Sequence, residues 1–266
     1  MKLLISKISS CYLVLSLSIG MLAISGCSEL PPNDWLGMGA EMLDVLGVSD
    51  KQITELSEQV CKNEDLTHTV LPENGPETRR IKRIARGLDG ELLGQPLSFK
   101  VYKANEFNAF ATFNGCVRVN SAKMDYFSDE ELAAVIAHEM GHVALKHTSR
   151  EFKTMGLTTL ALKTISNYGR AELLNSPLFQ KIVLGLINGQ YSQKQELEAD
   201  NYAVLMLHRH HMDPHAVVHM LQKLNKLYGE SAAGPLSYFA SHPSNEARIQ
   251  SALKQIQAFS KRTQSQ

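Results

Sequence analysis

Along most of this chain apolar residues recur every three to four positions, the spacing of an amphipathic helix, and runs that read as strand are short and central. The pattern predicts helices over 35–46, 50–63, 77–88, 129–147, 150–168, 177–190, 194–210, 214–228 and 243–259. Leu97 to Tyr102 and residues 116–120 read as strands, with Asn108 to Ala111 joining them. Local chemistry supports two of the helix starts. Ser128-Asp129-Glu130-Glu131 offers an N-cap and an acidic first turn before the apolar face of Leu132, Ala133, Val135 and Ile136, and Asp213-Pro214 is an N-cap followed by an N1 proline. The stretch 169–194 is broken by Gly169, Asn175, Pro177, Gly185 and Gly189, which suits either a flap over a cleft or a plain helical hairpin. The expected fold class is α+β, helix-dominated, with a small sheet beside the helix at 129–147.

That helix carries His138-Glu139-Met140-Gly141-His142. Histidines at i and i+4 project from one helical face, close enough to share one ion, while the intervening Glu sits beside that ion. Neutral imidazoles suit zinc, and a free carboxylate alongside can take a proton from water. A third ligand is still needed. Six residues after His142 stands Thr148, with Leu145 where a glycine would be required, and His147 is one residue out of register. The better source is Ser192-Gln193-Lys194-Gln195-Glu196-Leu197-Glu198-Ala199-Asp200, which runs into the apolar stretch Tyr202 to Leu207. Glu196 and Asp200 share a face, and Glu198 is turned away from both. Glu196 is therefore the candidate third ligand and Asp200 a carboxylate that orients a ligand histidine.

Those residues give the chain a family likeness. His138 to His147, followed by Glu196 to Asp200, resembles the HtpX and CAAX-prenyl-endopeptidase-like family of zinc metallopeptidases. Asn108-Ala109-Phe110-Ala111 with Gly115 to Val119 resembles that family's active-site edge strand, and Ser241 to Ile249 its C-terminal His-Pro segment with a following arginine. The likeness runs over about residues 76–255. It implies a gluzincin-type metallopeptidase domain and a zinc endopeptidase with one Zn2+ per chain. Glu139 would act as general base, and His242 or Arg248 would stabilise the oxyanion. A peptide would lie extended along the strand of Val117, Arg118 and Val119. Three roles stay open for His242: structural, oxyanion-stabilising, or itself a zinc ligand in a resting form. A second metal site is suggested by the spacing of His211, His215 and His219, near His208 and His210, but no carboxylate or Cys completes it and Pro214 interrupts it.

The N-terminus reads as an export signal. Lys2 and Lys7 precede an apolar core from Cys11 to Ala23, too short for a dependable membrane span. Ile24-Ser25-Gly26-Cys27 resembles a bacterial lipobox, so residues 1–26 would be cleaved and Cys27 acylated, or else an ordinary signal is removed and Cys27 keeps its thiol. Ser28 resembles the sorting pattern of outer-membrane lipoproteins facing the periplasm. Acyl chains contribute about 0.8 kcal/mol per buried methylene, enough for several to anchor the chain. Residues 27–34 would be a tether, 35–260 one peptidase domain and 261–266 a frayed tail. Of the 4 cysteines, Cys11 leaves with the signal and Cys27 takes lipid. Cys61 and Cys116 remain, and the expected arrangement is a disulfide between them in an oxidising compartment, the alternative being two buried thiols. Such a bridge would stabilise by roughly 4 kcal/mol on the chain-entropy model.

Charge narrows the partners. Removing Lys2 and Lys7 from 27 basic residues leaves 25 against 27 acidic ones. A near-neutral chain with no basic block gives no reason to expect nucleic acid. The expected partners are unfolded or misassembled polypeptides, the outer membrane through the lipid, and outer-membrane assembly proteins. The competing class is a periplasmic chaperone or assembly factor with a dormant or gated metal site.

Overall fold

The helix at Asp129–Ala144 is buried on every side, and the rest of the fold is arranged around it. In this computed structural model the described residues are 50–88, 91–92, 95–147, 149–150, 191–228, 241–242 and 246–263. They form, in order, α1 (Asp50–Thr67), α2 (Pro76–Arg86), β1 (Glu91–Leu92), β2 (Gln95–Pro96), β3 (Ser98–Tyr102), β4 (Ala109–Ala111) and β5 (Cys116–Asn120). A 3-10 turn (Met124–Tyr126) then leads to α3 (Asp129–Ala144), α4 (Gln193–Arg209), α5 (His215–Tyr228) and α6 (Glu246–Thr263). The helix-dominated α+β class is as expected. The predicted leader, Cys27, the tether, the helices at 35–46, 150–168 and 177–190 and nearly all of 169–194 lie outside the described residues.

α3 starts where its capping box dictates. The Ser128 side chain accepts from the Glu131 N–H, and the Glu131 carboxylate accepts from the Ser128 N–H. Lys223 on α5 then binds Glu131 Oε2 at 2.6 Å and the Tyr126 carbonyl at 2.8 Å. Arg80 on α2 holds the same corner through Asp129 Oδ1 at 2.6 Å and the Met124 and Phe127 carbonyls. From Glu131 through Val143 every residue of the helix is buried. A helix buried all round belongs at the centre of a domain. Its other end differs from expectation. It stops at Ala144 instead of 147, because Lys146 adopts a left-handed backbone (φ 58°) that ends the helical run.

α4 packs closest to α3, at Gly141. A Cβ there would stand 3.1 Å from the Ala199 Cα and 3.2 Å from its carbonyl oxygen, backbone atoms that cannot swing aside. The absent side chain lets the helix bearing the histidines approach the helix bearing Glu196. α4 has its own capping box, Ser192 with Gln195.

The sheet corrects one expectation outright. Its strand order is β3-β5-β4, with β5 parallel to β3 and antiparallel to β4. Val117, Arg118 and Val119 therefore lie on the central strand, paired on both sides, and no peptide can add along them. Among the described residues β4 is paired on one side only, and it is β4 that packs on α3. The β4–β5 turn relies on Gly115, whose φ of 78° suits a residue without a side chain. Residues 91–92 and 95–96 form a further short antiparallel pair. No described helix is long and apolar enough to cross a membrane.

Cys61 and Cys116 form the disulfide, with Cα atoms 6.6 Å apart, and it ties α1 to the central strand. Next to it runs an ionic tie. Arg118, buried on β5, donates to both carboxylate oxygens of Asp65 on α1, at 2.8 and 3.1 Å, and to the Ser98 carbonyl. Lys100 and the Tyr102 hydroxyl donate to the same carboxylate. Burial would raise the Asp65 carboxyl, but these hydrogen bonds outweigh it and hold it below the ordinary value.

Asp65→Asn leaves the Arg118 guanidinium buried without its counter-charge and should cost at least ~2 kcal/mol. Because the folded carboxyl titrates below its unfolded value near 3.8, that contribution is complete above about pH 4 and is lost as pH falls further. Unfolding of the two proteins compared across pH 3–7 should show the difference shrinking only at the acid end.

Candidate active site: a buried metal centre

α3 brings His138 and His142 onto one face, and α4 faces them with Glu196 and Asp200 one turn apart. His142 Nε2 lies 3.0 Å from His138 Nε2 and 3.3 Å from Glu196 Oε1. His242 joins them, its Nδ1 2.9 Å from Glu196 Oε1 and 3.3 Å from His138 Nε2. One donor atom from each of these four buried residues lies within 4.8 Å of the other three. Among the described residues this is the one group of metal-ligating side chains with such geometry, so the second site suggested around His211, His215 and His219 does not assemble. Those three rings are exposed on or beside α5.

The hydrogen bonds show what the group is built to hold. An ionised Asp200 can only accept, so its 2.9 Å contact places a proton on His138 Nδ1 and leaves Nε2 with a lone pair aimed into the cluster. Two imidazole lone pairs and a carboxylate facing one point repel unless a cation lies between them. Charge agrees. Glu139, Glu196 and Asp200 against Arg248 leave two formal negative charges in a buried site, the complement of a divalent ion. Burial would lower the His138 ring, yet with no metal bound Glu196 and Asp200 outweigh it and raise it to about 9, so a metal ion would take the place of a proton at Nε2, while burial pushes His142 well below its usual value. Burial would likewise raise both carboxyls, but the neighbouring His242 ring and Arg248 guanidinium beside Glu196, and the Arg248 guanidinium beside Asp200, hold them down. These residues fit a metal ion.

Arg248 has a different place from the one expected. Its Nε and Nη2 donate to the two oxygens of Asp200 at 2.7 Å each, and Nη1 pairs with Glu196 Oε2 at 2.6 Å. A guanidinium so engaged and fully buried positions the carboxylates and is not aimed at an oxyanion. His242, in this conformation, faces the metal group through Nδ1, and its Nε2 stands 3.5 Å from Glu139 Oε1. Glu139 contributes no atom to the metal group and lies at its rim, as its position between the histidines requires.

Two residues were missed from the sequence. Tyr191, just before the α4 cap, stacks on the His142 ring with centroids 3.7 Å apart. His147, rejected as a ligand, is buried with Nδ1 3.2 Å from His142 Nδ1 and Nε2 3.0 Å from Glu198 Oε2. Helical periodicity could not reveal it, because the left-handed turn at Lys146 resets the phase.

Residues 76–256 match the sequence model of peptidase family M48. The chain belongs to that family, and it is a metalloendopeptidase. Similar family members include the metalloprotease LoiP of Escherichia coli (strain K12), 36% identical over 228 residues that cover 85% of this chain and 89% of LoiP. The metalloprotease YcaL of the same organism is 31% identical, covering 90% of this chain and 94% of YcaL. The β-barrel assembly-enhancing protease, also from that strain, is 31% identical over 167 residues, 58% of this chain and 33% of that protein. The M48 match spans α2 through most of α6, and so includes every site residue described above.

Arg248→Lys retains the charge but cannot bridge Asp200 and Glu196 as a planar fork does. It should bind metal about 10-fold or more weakly, comparable with loss of an orienting group. Metal retained after dialysis against a graded series of chelator concentrations would check this.

Proposed function

We propose that this chain is a zinc endopeptidase that cleaves unfolded or misassembled envelope proteins in periplasmic quality control. The observation that carries the reading is Glu139, a buried carboxylate outside the four-donor group yet at its edge. An imidazole-rich set with one carboxylate suits zinc. Bound by His138, His142 and Glu196, zinc would supply Lewis acidity towards a peptide carbonyl and water. Glu139 takes the proton from the attacking water and returns it to the leaving nitrogen. Asp200 and Arg248 keep His138 and Glu196 oriented throughout.

The substrate strand moves to β4. Asn120 N–H donates to the Asn108 carbonyl and Thr112 N–H to the Cys116 carbonyl, so residues 108, 110 and 112 face β5. By alternation the backbone groups of Ala109 and Ala111 point the other way. Ala109 N–H is already taken by Asn108 Oδ1, which among the described residues leaves the Ala109 carbonyl and both polar groups of Ala111 for an extended peptide. Main-chain pairing of this kind reads little side-chain identity, which suits unfolded substrates.

The lipobox-like Ile24 to Cys27 and the following Ser28 support a leader over 1–26, acylation of Cys27 and a tether to residue 34 before one peptidase domain; α6 runs on to Thr263, past the tail start expected at 261. An anchored protease facing the periplasm of a Gram-negative envelope follows from that reading. The likeness to a β-barrel assembly-enhancing protease supports outer-membrane assembly proteins as partners. A second reading, a chaperone or assembly factor with a gated metal site, is favoured by His242. With zinc bound, a fourth donor from His242 would compete with water and substrate for the metal.

Casein cleavage by the full chain in detergent, with zinc content determined, should separate the two. Glu139→Gln should keep zinc and lose about 10²–10⁴-fold in rate, the usual worth of a general base. His242→Ala should keep zinc and cleave faster than the parent. Zinc in all three with no cleavage by any would transfer the function to the chaperone reading. Separately, Ala111→Pro removes one outward N–H worth about 1 kcal/mol and should lower kcat/KM for polypeptides about fivefold with zinc content unchanged.

A further inference from the structure

The geometry points to Glu198 and His147 as a relay that orients His142 for metal binding, separate from the Asp200–Arg248 pair that serves His138. This rests on the reading of His142 as a ligand. If Nε2 of His142 faces the metal, its Nδ1 must carry the ring proton. The atom facing that proton is His147 Nδ1 at 3.2 Å, which must therefore accept. A neutral His147 that accepts at Nδ1 carries its own proton on Nε2, and the atom facing Nε2 at 3.0 Å is a carboxylate oxygen of Glu198. Each contact then has one donor and one acceptor, and only one assignment of tautomers satisfies both.

The chain shapes a turn around this arrangement that a filler residue would not require. α3 ends at Ala144, Lys146 turns left-handed, and the turn carries the His147 ring back beneath His142 with centroids 5.1 Å apart. His147 is fully buried, although two polar nitrogens make it a costly core residue unless both are satisfied. Glu198 lies between Glu196 and Asp200 in sequence but is turned to the other side of α4, where it meets His147. The two ligand histidines of α3 thus each have their own carboxylate from the same helix. His138 is reached directly by Asp200, and His142 through a second imidazole by Glu198. His147 and Glu198 touch no reacting atom, so they are positioning residues.

The test is the zinc dissociation constant of the full chain by chelator competition, with unfolding of the metal-free proteins followed in parallel. His142→Ala, as the control on the underlying reading, should lose tight binding. His147→Leu should bind about 10- to 100-fold more weakly, the usual effect of removing a ligand's outer partner. His147→Asn offers a carbonyl oxygen near the position of Nδ1 and should recover most of that loss, which a residue needed only for packing would not do. Glu198→Ala, at a partly exposed side chain that does not threaten the core, should weaken binding in the parent and add little in the His147→Leu background. Parent-like affinity in His147→Leu, or an Asn variant as weak as the Leu variant, would overturn the relay while leaving the metal centre standing. Undiminished affinity in His142→Ala would sink the ligand reading and the relay together.

Discussion

Glu196, Asp200, His242 and Arg248 surround His138 and His142 in a part of the protein that excludes water, and each is tolerable only because the others are there. A carboxylate or imidazole removed from water costs several kcal/mol unless it is paired. Glu196, Asp200 and Arg248, all essentially unexposed, meet that requirement mutually, with the histidines between them. What is left over is a surplus of negative charge and of lone pairs converging on one point. The metal-binding capacity of the site is the residue of an otherwise balanced electrostatic account.

Such a balance demands rigid spacing, and much of the framework serves that end. Gly141 lets α3 and α4 close until the histidines and Glu196 share a centre. The capping boxes at Ser128 and Ser192 set where each helix begins, and therefore which face each ligand occupies. Arg80 and Lys223 fasten the start of α3 to α2 and α5. On the far side of the sheet the Cys61–Cys116 disulfide and the Asp65–Arg118 pair hold α1 against β5, so the sheet that carries β4 cannot drift relative to α3.

The same arrangement separates binding from access. β4 lies against α3 with one edge unpaired among the described residues, where an extended chain could approach Glu139. His242, reaching in from the segment before α6, adds a fourth donor atom to the group formed by His138, His142 and Glu196.

The amino-acid sequence by itself determined what depends on helical period and local capping. His138 with His142, and Glu196 with Asp200, are four apart, and four residues return a helix to the same face whatever surrounds it. The N-caps and the pairing left over after counting cysteines were readable for the same reason, since each needs only near neighbours or a count. The tertiary structure alone decided the rest. β5 reads as an active-site strand, yet strand order, a property of the whole sheet, puts it in the middle. Arg248 reads as a cation near the reaction, but the two carboxylates that claim it arrive from a helix some fifty residues away. His147 reads as out of register, and one left-handed residue at position 146 brings it under His142. Local rules repeat along a chain, so they can be read from it; which long-range neighbour satisfies a buried polar group is settled only when the chain has closed around it.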